Sequence, residues 1–170
     1  MITVQIGGTR RGQCLPQVPH AGFQVYMRSW TIRARADHAM RTHLMETLES
    51  MRDHSKTYVS EYASMQKQMN ALHTEHMETL FASSKAKQLW NNVLNDCNQK
   101  YHMWTKHYTY IECALKNIDR RRTKNSSLEH IIQQLKEAET IIQQGIHVQD
   151  LERQYKTIQL EINSWVNTSF

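Results

Sequence analysis

Two long runs of apolar side chains, spaced alternately four and three residues apart, dominate the pattern of this sequence. This spacing places side chains on one face of an α-helix that packs against another helix. The first run extends from Leu44 to His76 and the second from Trp90 to Ile118. Spacings of three, four and four residues around His76 put the two runs out of phase. Such a step predicts a locally unwound supercoil within one continuous helix.

The composition between Phe23 and Gln144 agrees with a continuous helix, because this stretch contains neither glycine nor proline. These two residues mark most turns, so their absence is typical of long uninterrupted helices. We therefore expect one helix over about residues 35–123. At about 1.5 Å per residue it would extend on the order of 130 Å, which predicts an elongated molecule.

A return helix is predicted to begin after the three arginines of the segment "IDRRRTKNSSLEH". Cations in a last helical turn oppose the partial negative charge of the carbonyl end. Asn125 can end that helix in a left-handed conformation, and Ser126 with Glu129 forms a capping box for the next one. A short connection favours an antiparallel hairpin, with the return helix over about residues 127–167 and a kink near Gly145.

The fold class predicted is therefore all-α, an elongated coiled-coil or helical hairpin with a mostly irregular N-terminal arm. Three regions follow: an arm (1–34), an exposed coiled-coil segment (35–80) and the hairpin (81–170). Large residues face small ones across the predicted hairpin seam. Its expected core consists of Trp90, Leu94, Trp104, Tyr108, Ile111, Leu115, Ile118, Ile131, Leu135, Ile142, Leu151, Tyr155, Ile158, Ile162 and Trp165.

The first apolar run is longer than the return helix can cover. An uncovered stripe of this length would be a large exposed apolar patch, so the sequence predicts that partner chains bury it, in a homo-oligomer or a hetero-oligomer. The expected partner-helix interface consists of Leu44, Leu48, Met51, Tyr58, Tyr62, Met65, Met69 and Leu72.

The positive charge of the chain is concentrated in residues 1–43, which contain six arginines and one aspartate. Arginine suits bidentate contacts with carboxylate or phosphate groups, so we expect this arm to become ordered on an anionic partner. Acidic protein surfaces such as microtubules, nucleic acids and anionic membranes would all attract it. The expected binding residues are Arg10, Arg11, Arg28, Arg33, Arg35 and Arg41.

Candidate catalytic and metal sites are weak in this sequence. We find no phosphate loop, nucleophile elbow or paired catalytic carboxylates, so we expect neither an enzyme nor a cofactor. His73 and His76 lie near Glu75 and Glu78, but the E-x-x-H spacing of helical metal sites is absent, and we expect no metal. The three cysteines form no C-x-x-C pair. A signal peptide and an apolar run of membrane-spanning length are also missing, which predicts a cytoplasmic (cytoskeletal) or nuclear protein that is neither secreted nor transmembrane.

These patterns favour a structural subunit of a multiprotein complex, such as a cytoskeletal, kinetochore-like or tethering assembly. Coiled-coil and helical-bundle contacts would hold its partners, and the basic arm would anchor it to an acidic surface. One alternative is a dimeric nucleic-acid or chromatin-binding protein that uses the arginine arm. A second alternative is a helical module on membrane surfaces.

Overall fold

Four helices form this chain in a computed structural model that describes the backbone of residues 20–168 and the side chains of residues 25 and 27–167. The helices are α1 (His20–Ala82), α2 (Ser84–Asn117), α3 (Asn125–Ile142) and α4 (Val148–Thr168). No strand occurs in this part of the chain, which confirms the all-α class, although there are four helices where two were expected. The chain divides into two compact units, Met1–Thr42 and His43–Phe170. We call residues 20–42 of α1 the arm helix and residues 43–168 the bundle.

Ser83 separates α1 from α2, so the prediction of one helix over residues 35–123 is wrong. Its backbone is extended (φ −93°, ψ 111°), and its hydroxyl accepts a hydrogen bond from the Ala86 backbone N–H. A second departure from helical geometry lies at His76 (φ −128°, ψ 29°). The phase shift in the sequence therefore marks a kink and a helix break.

The bundle part of α1 and helix α2 run antiparallel after this break. The Trp90 indole N–H donates to the Met69 carbonyl oxygen at 2.9 Å, close to the break. Farther along, the Cys97 thiol donates to the Tyr62 carbonyl oxygen at 3.2 Å. At the far end, Arg120 lies 3.4 Å from the carboxylate of Glu49. Contacts over this length show that the two segments pack side by side.

Helices α3 and α4 also run antiparallel to α2. His107 and Glu139 lie 3.6 Å apart on α2 and α3, and Lys85 and Glu161 lie 3.4 Å apart on α2 and α4. Gly145 has a positive φ of 85°, a conformation that side chains with a Cβ rarely adopt, and it lies between α3 and α4. The predicted return helix is thus interrupted near Gly145 by a break between two helices.

The junction between α2 and α3 differs from the predicted capping box. Helix α2 ends at Asn117, before the three arginines, and Asp119 accepts hydrogen bonds from the backbone N–H groups of Arg121 and Arg122. Lys124, whose side chain makes no capping hydrogen bond, takes the N-cap position of α3 that was predicted for Ser126. The Asp119 carboxylate therefore organises this turn, since it accepts hydrogen bonds from the backbone N–H groups of two successive arginines that follow α2.

Two clusters of buried side chains form the core of the bundle, and each draws on α1, α2 and the α3–α4 pair. Aliphatic and thioether side chains make up the smaller cluster, while aromatic residues and methionines are prominent in the larger one. The smaller cluster contains Met45, Leu48, Met51, Ile111, Leu128, Ile132 and Leu135. The larger contains Tyr62, Met65, Met69, Leu72, Leu80, Ala86, Val93, Cys97, Trp104, Ile142, Leu151, Ile158 and Ile162.

Candidate interaction surfaces

The stripe that was predicted to bind partner chains is covered by helices of this same chain. Leu48 and Met69 are fully buried, and Tyr58 stacks on Trp104 with ring centroids 4.4 Å apart. The expectation that nothing in the chain covers this stripe is therefore wrong. Helix α2 covers the stripe because the chain breaks its helix at Ser83 and α2 folds back over α1. Of the eight predicted residues, Leu48, Met51, Tyr62, Met65, Met69 and Leu72 are buried, and Leu44 and Tyr58 are partly buried.

Most of the predicted hairpin-core residues are buried or partly buried, but they pack in a bundle that also contains α1. Trp165 is the exception, with 40% of its surface exposed near the end of α4. Seven of them are buried: Trp104, Ile111, Leu135, Ile142, Leu151, Ile158 and Ile162. The partly buried ones are Trp90, Leu94, Tyr108, Leu115, Ile118, Ile131 and Tyr155.

Two polar residues of α2 lie in the core, and sequence reasoning did not identify either as buried. Lys100 donates from its ammonium group to the carbonyl oxygens of Ile142 and Gln144, the carbonyl-bearing end of α3. Burial lowers the pKa of Lys100 below its ordinary value. A cation at this position complements the helix dipole, so Lys100 ties α2 to the end of α3.

His107 is the second buried polar residue of α2. Its ring meets the Trp104 indole edge to face at 5.8 Å, and its Nε2 atom makes no hydrogen bond. It also borders a groove of about 440 Å³ between α2 and α3, whose rim includes the exposed side chain of Tyr110. This groove is mainly apolar, with Met103 and Leu135 among its lining residues.

Burial also changes the acid–base properties of two groups where α1 meets α2. It raises the pKa of the Cys97 thiol to about 11 and that of the Tyr62 hydroxyl to about 12. Both groups therefore stay protonated at neutral pH. A protonated buried thiol is a poor nucleophile, so Cys97 is a packing residue in this arrangement.

The histidines that suggested a metal site have other contacts. His73 stacks on Trp90 at 5.0 Å and meets Phe81 edge to face at 5.5 Å. Within residues 20–168, no group of three histidine, cysteine, aspartate or glutamate side chains is arranged to hold a metal ion. Nor does any helix in that range have the length and apolar character needed to span a membrane.

The arm helix has a different surface from the bundle. The prediction of an irregular arm over residues 1–34 is wrong for residues 20–34, which are helical. Among its side chains, Val25, Trp30 and Ile32 are 64%, 57% and 59% exposed. Arg28, Arg33 and Arg35 are exposed and Arg41 is partly buried, while Arg10 and Arg11 lie outside the described residues. The arm helix therefore exposes both apolar and cationic side chains to solvent.

Comparisons with protein-family models, curated proteins and solved structures give no match to this chain.

Proposed function

We propose that this protein is a structural subunit of a multiprotein assembly and that the arm helix, rather than the Leu44–Leu72 stripe, is its principal partner-binding element. The observation that carries this proposal is the exposure of Val25, Trp30 and Ile32 beside arginines on a regular helix. Large apolar side chains cluster on a surface mainly at interaction sites. Tryptophan and arginine are also the residues most enriched at binding hot spots.

The bundle supports this assignment because its own helices cover the Leu44–Leu72 stripe. Its core residues in α1, including Met65 and Met69, contact helices of the same chain. A bundle closed in this way needs no partner helix to cover the Leu44–Leu72 stripe. Its role in the proposal is to hold the subunit folded, while the arm helix provides the contact with other proteins.

The experiment places a photoreactive amino acid in the full-length protein at position 32 of the arm helix or, as a control, at position 160. Leu160 is 69% exposed on α4, so both positions are accessible to solvent. We expect discrete cross-links from position 32 to one or a few defined proteins of the native source. Val25→Glu, at a position 64% exposed, should abolish these cross-links, whereas the same change to glutamate at Leu160 should leave them unchanged.

The alternatives give different cross-linked products. An exposed tryptophan between Arg28 and Arg33 also has the composition of a base-stacking site, so nucleic acid is the second candidate. Cross-links from position 32 to nucleic acid would replace the scaffold proposal with that one, and cross-links to lipid would replace it with a membrane function. Protein cross-links formed equally from positions 32 and 160 would also contradict it.

A further inference from the structure

We propose that the arm helix forms a heteromeric coiled coil with an acidic α-helix of another protein. This inference rests on the proposed function and specifies the partner's chemistry. The contact face is the set of residues at alternating four- and three-residue spacing that we call the arm seam. It consists of Val25, Ser29, Ile32, Ala36 and Ala39.

The arm seam has the geometry of positions a and d in a heptad repeat. Residues at this spacing lie on one face of a helix that supercoils with a partner. All five side chains are exposed, and the segment is helical throughout. Ser29, Ala36 and Ala39 are small, so a partner helix can approach closely but gains little apolar burial. Because the seam contributes modestly, the charges beside it have more influence on partner choice.

Arginines occupy the positions that flank the arm seam. With Val25 at position d, Arg28 and Arg35 fall at g, and Arg33 falls at e. Side chains at e and g lie next to the partner helix and decide which sequences pair. Asp37, the one acidic residue of this segment, falls at b and not at e or g.

This charge pattern disfavours pairing with a second copy of the same helix. In a parallel pair, g of one helix faces e of the next heptad on the other, which brings Arg28 against Arg33. In an antiparallel pair, g faces g, which brings Arg28 against Arg35. Like charges in these positions oppose association, whereas glutamates in the partner would form ion pairs with all three arginines.

The distribution of charge around the helix also favours an acidic helix over a membrane surface. A helix that lies on a membrane collects its cations on the side opposite its apolar face. Here Arg28 and Arg33 lie on opposite flanks of the seam itself.

The first test uses the full-length protein and three labelled synthetic peptides. One is a helical peptide of about four heptads, with leucine and alanine at a and d and glutamate at e and g. The second has lysine at e and g, and the third has the composition of the first in scrambled order. Fluorescence anisotropy at low salt should show the glutamate peptide binding at least about tenfold more tightly than either control peptide.

Charge reversal supplies a readout that loss of folding cannot imitate. The triple variant Arg28→Glu, Arg33→Glu, Arg35→Glu should no longer bind the glutamate peptide and should bind the lysine peptide instead. Among single variants, Arg33→Glu should weaken glutamate-peptide binding several-fold more than Arg41→Glu. The two make the same charge change, but Arg41 falls at position f, on the outer face.

Failure of this inference can be distinguished from failure of the proposed function. Equal binding of the scrambled peptide, or no switch of preference in the triple variant, would overturn the acidic-helix inference. If protein cross-links from position 32 persisted in that case, the scaffold proposal would stand with a different kind of partner. Tighter binding of duplex DNA or anionic vesicles than of the glutamate peptide would also overturn the inference.

Discussion

The arm helix and the bundle part of α1 carry stripes with the same spacing, yet their surroundings differ completely. In the bundle, the stripe includes large side chains such as Leu48, Met65 and Met69, and all three are buried. In the arm helix, the stripe includes Val25 and Ile32, and both are more than half exposed. Spacing alone therefore predicts that a helix face packs against something, but it does not predict what covers that face.

The charges beside each stripe distinguish the two regions further. Beside the bundle stripe, Arg52 of α1 lies 3.7 Å from Glu112 of α2, and Arg120 of the turn after α2 lies 3.4 Å from Glu49 of α1, so opposite charges of this chain pair with one another. The flanks of the arm seam carry arginine without a glutamate or aspartate at e or g. When the charges beside a stripe pair within the chain, the stripe packs against helices of the same chain. When those charges all have one sign, they favour a partner helix of the opposite charge.

Replacing one tryptophan in each region should give the largest contrast in stability. Trp104→Ala removes a side chain that is 2% exposed and stacked on Tyr58, so we expect the free energy of unfolding to fall by about 3–5 kcal/mol. Trp30→Ala, at a position 57% exposed, should change it by no more than about 0.5 kcal/mol. Urea unfolding followed by circular dichroism measures both.

Similar losses in the two tryptophan variants would erase the distinction between an internally packed region and a partner-binding one. A large loss for Trp30→Ala would mean that the arm helix contributes to the fold. A small loss for Trp104→Ala would mean that the core around Tyr58 is loosely packed.

The reversal at Ser83 shows why the helical class was predictable while the topology was not. The absence of glycine and proline over residues 23–144 indicated helices, and helices are found. The phase shift near His76 was also visible in the sequence. However, a continuous helix with a stutter and a broken helix that folds back give the same change of phase, and one extended residue is enough to separate α1 from α2.

The inward face of α2 was misread for a different reason. Its buried residues recur at intervals of four and three, but Lys100 and His107 interrupt the apolar character of this face. The predicted core therefore included Leu94 and Tyr108, which are only partly buried, alongside Trp104 and Ile111, which do belong to this face. Lys100 is tolerated there because carbonyl groups at the end of α3 accept its hydrogen bonds. Such a tertiary contact leaves no local signal. The observed face is Val93, Cys97, Lys100, Trp104, His107 and Ile111.

The alkaline stability of the protein should depend on the buried thiol of the bundle. Burial raises the pKa of Cys97 from 9.0 to about 11, so the unfolded chain loses this proton at lower pH than the folded one. Stabilisation by the protonated thiol is complete below pH 9 and disappears as the pH rises through 11. The stability difference between wild type and Cys97→Ser should therefore fall by about 2 kcal/mol between pH 8 and pH 10.5.

The exposed cysteine of α2 provides the matched control for this pH dependence. Cys113→Ser changes the same group at a position open to solvent. Its exposure removes the packing contribution of the thiol, so this variant controls for the chemical change itself. Subtracting each variant from wild type cancels the contribution of Lys100, which both proteins share. A constant difference for Cys97→Ser would contradict the packing of α2 against α1 at this point.

The smallest effect, at the helix break, separates the observed topology from the one expected from sequence. The Ser83 hydroxyl caps α2 at 3.2 Å from the Ala86 nitrogen, and Ser83 is buried, so Ser83→Ala should cost about 1 kcal/mol in urea unfolding. Ser126→Ala removes the cap that the sequence predicted, at an exposed position inside α3, and should cost less than about 0.5 kcal/mol. In a continuous helix through Ser83 the order would be reversed, because alanine is the better helix former there and the Ser126 cap would be lost. The sign of the difference between the two variants therefore decides whether α1 ends at Ala82, which determines whether the bundle buries its own stripe.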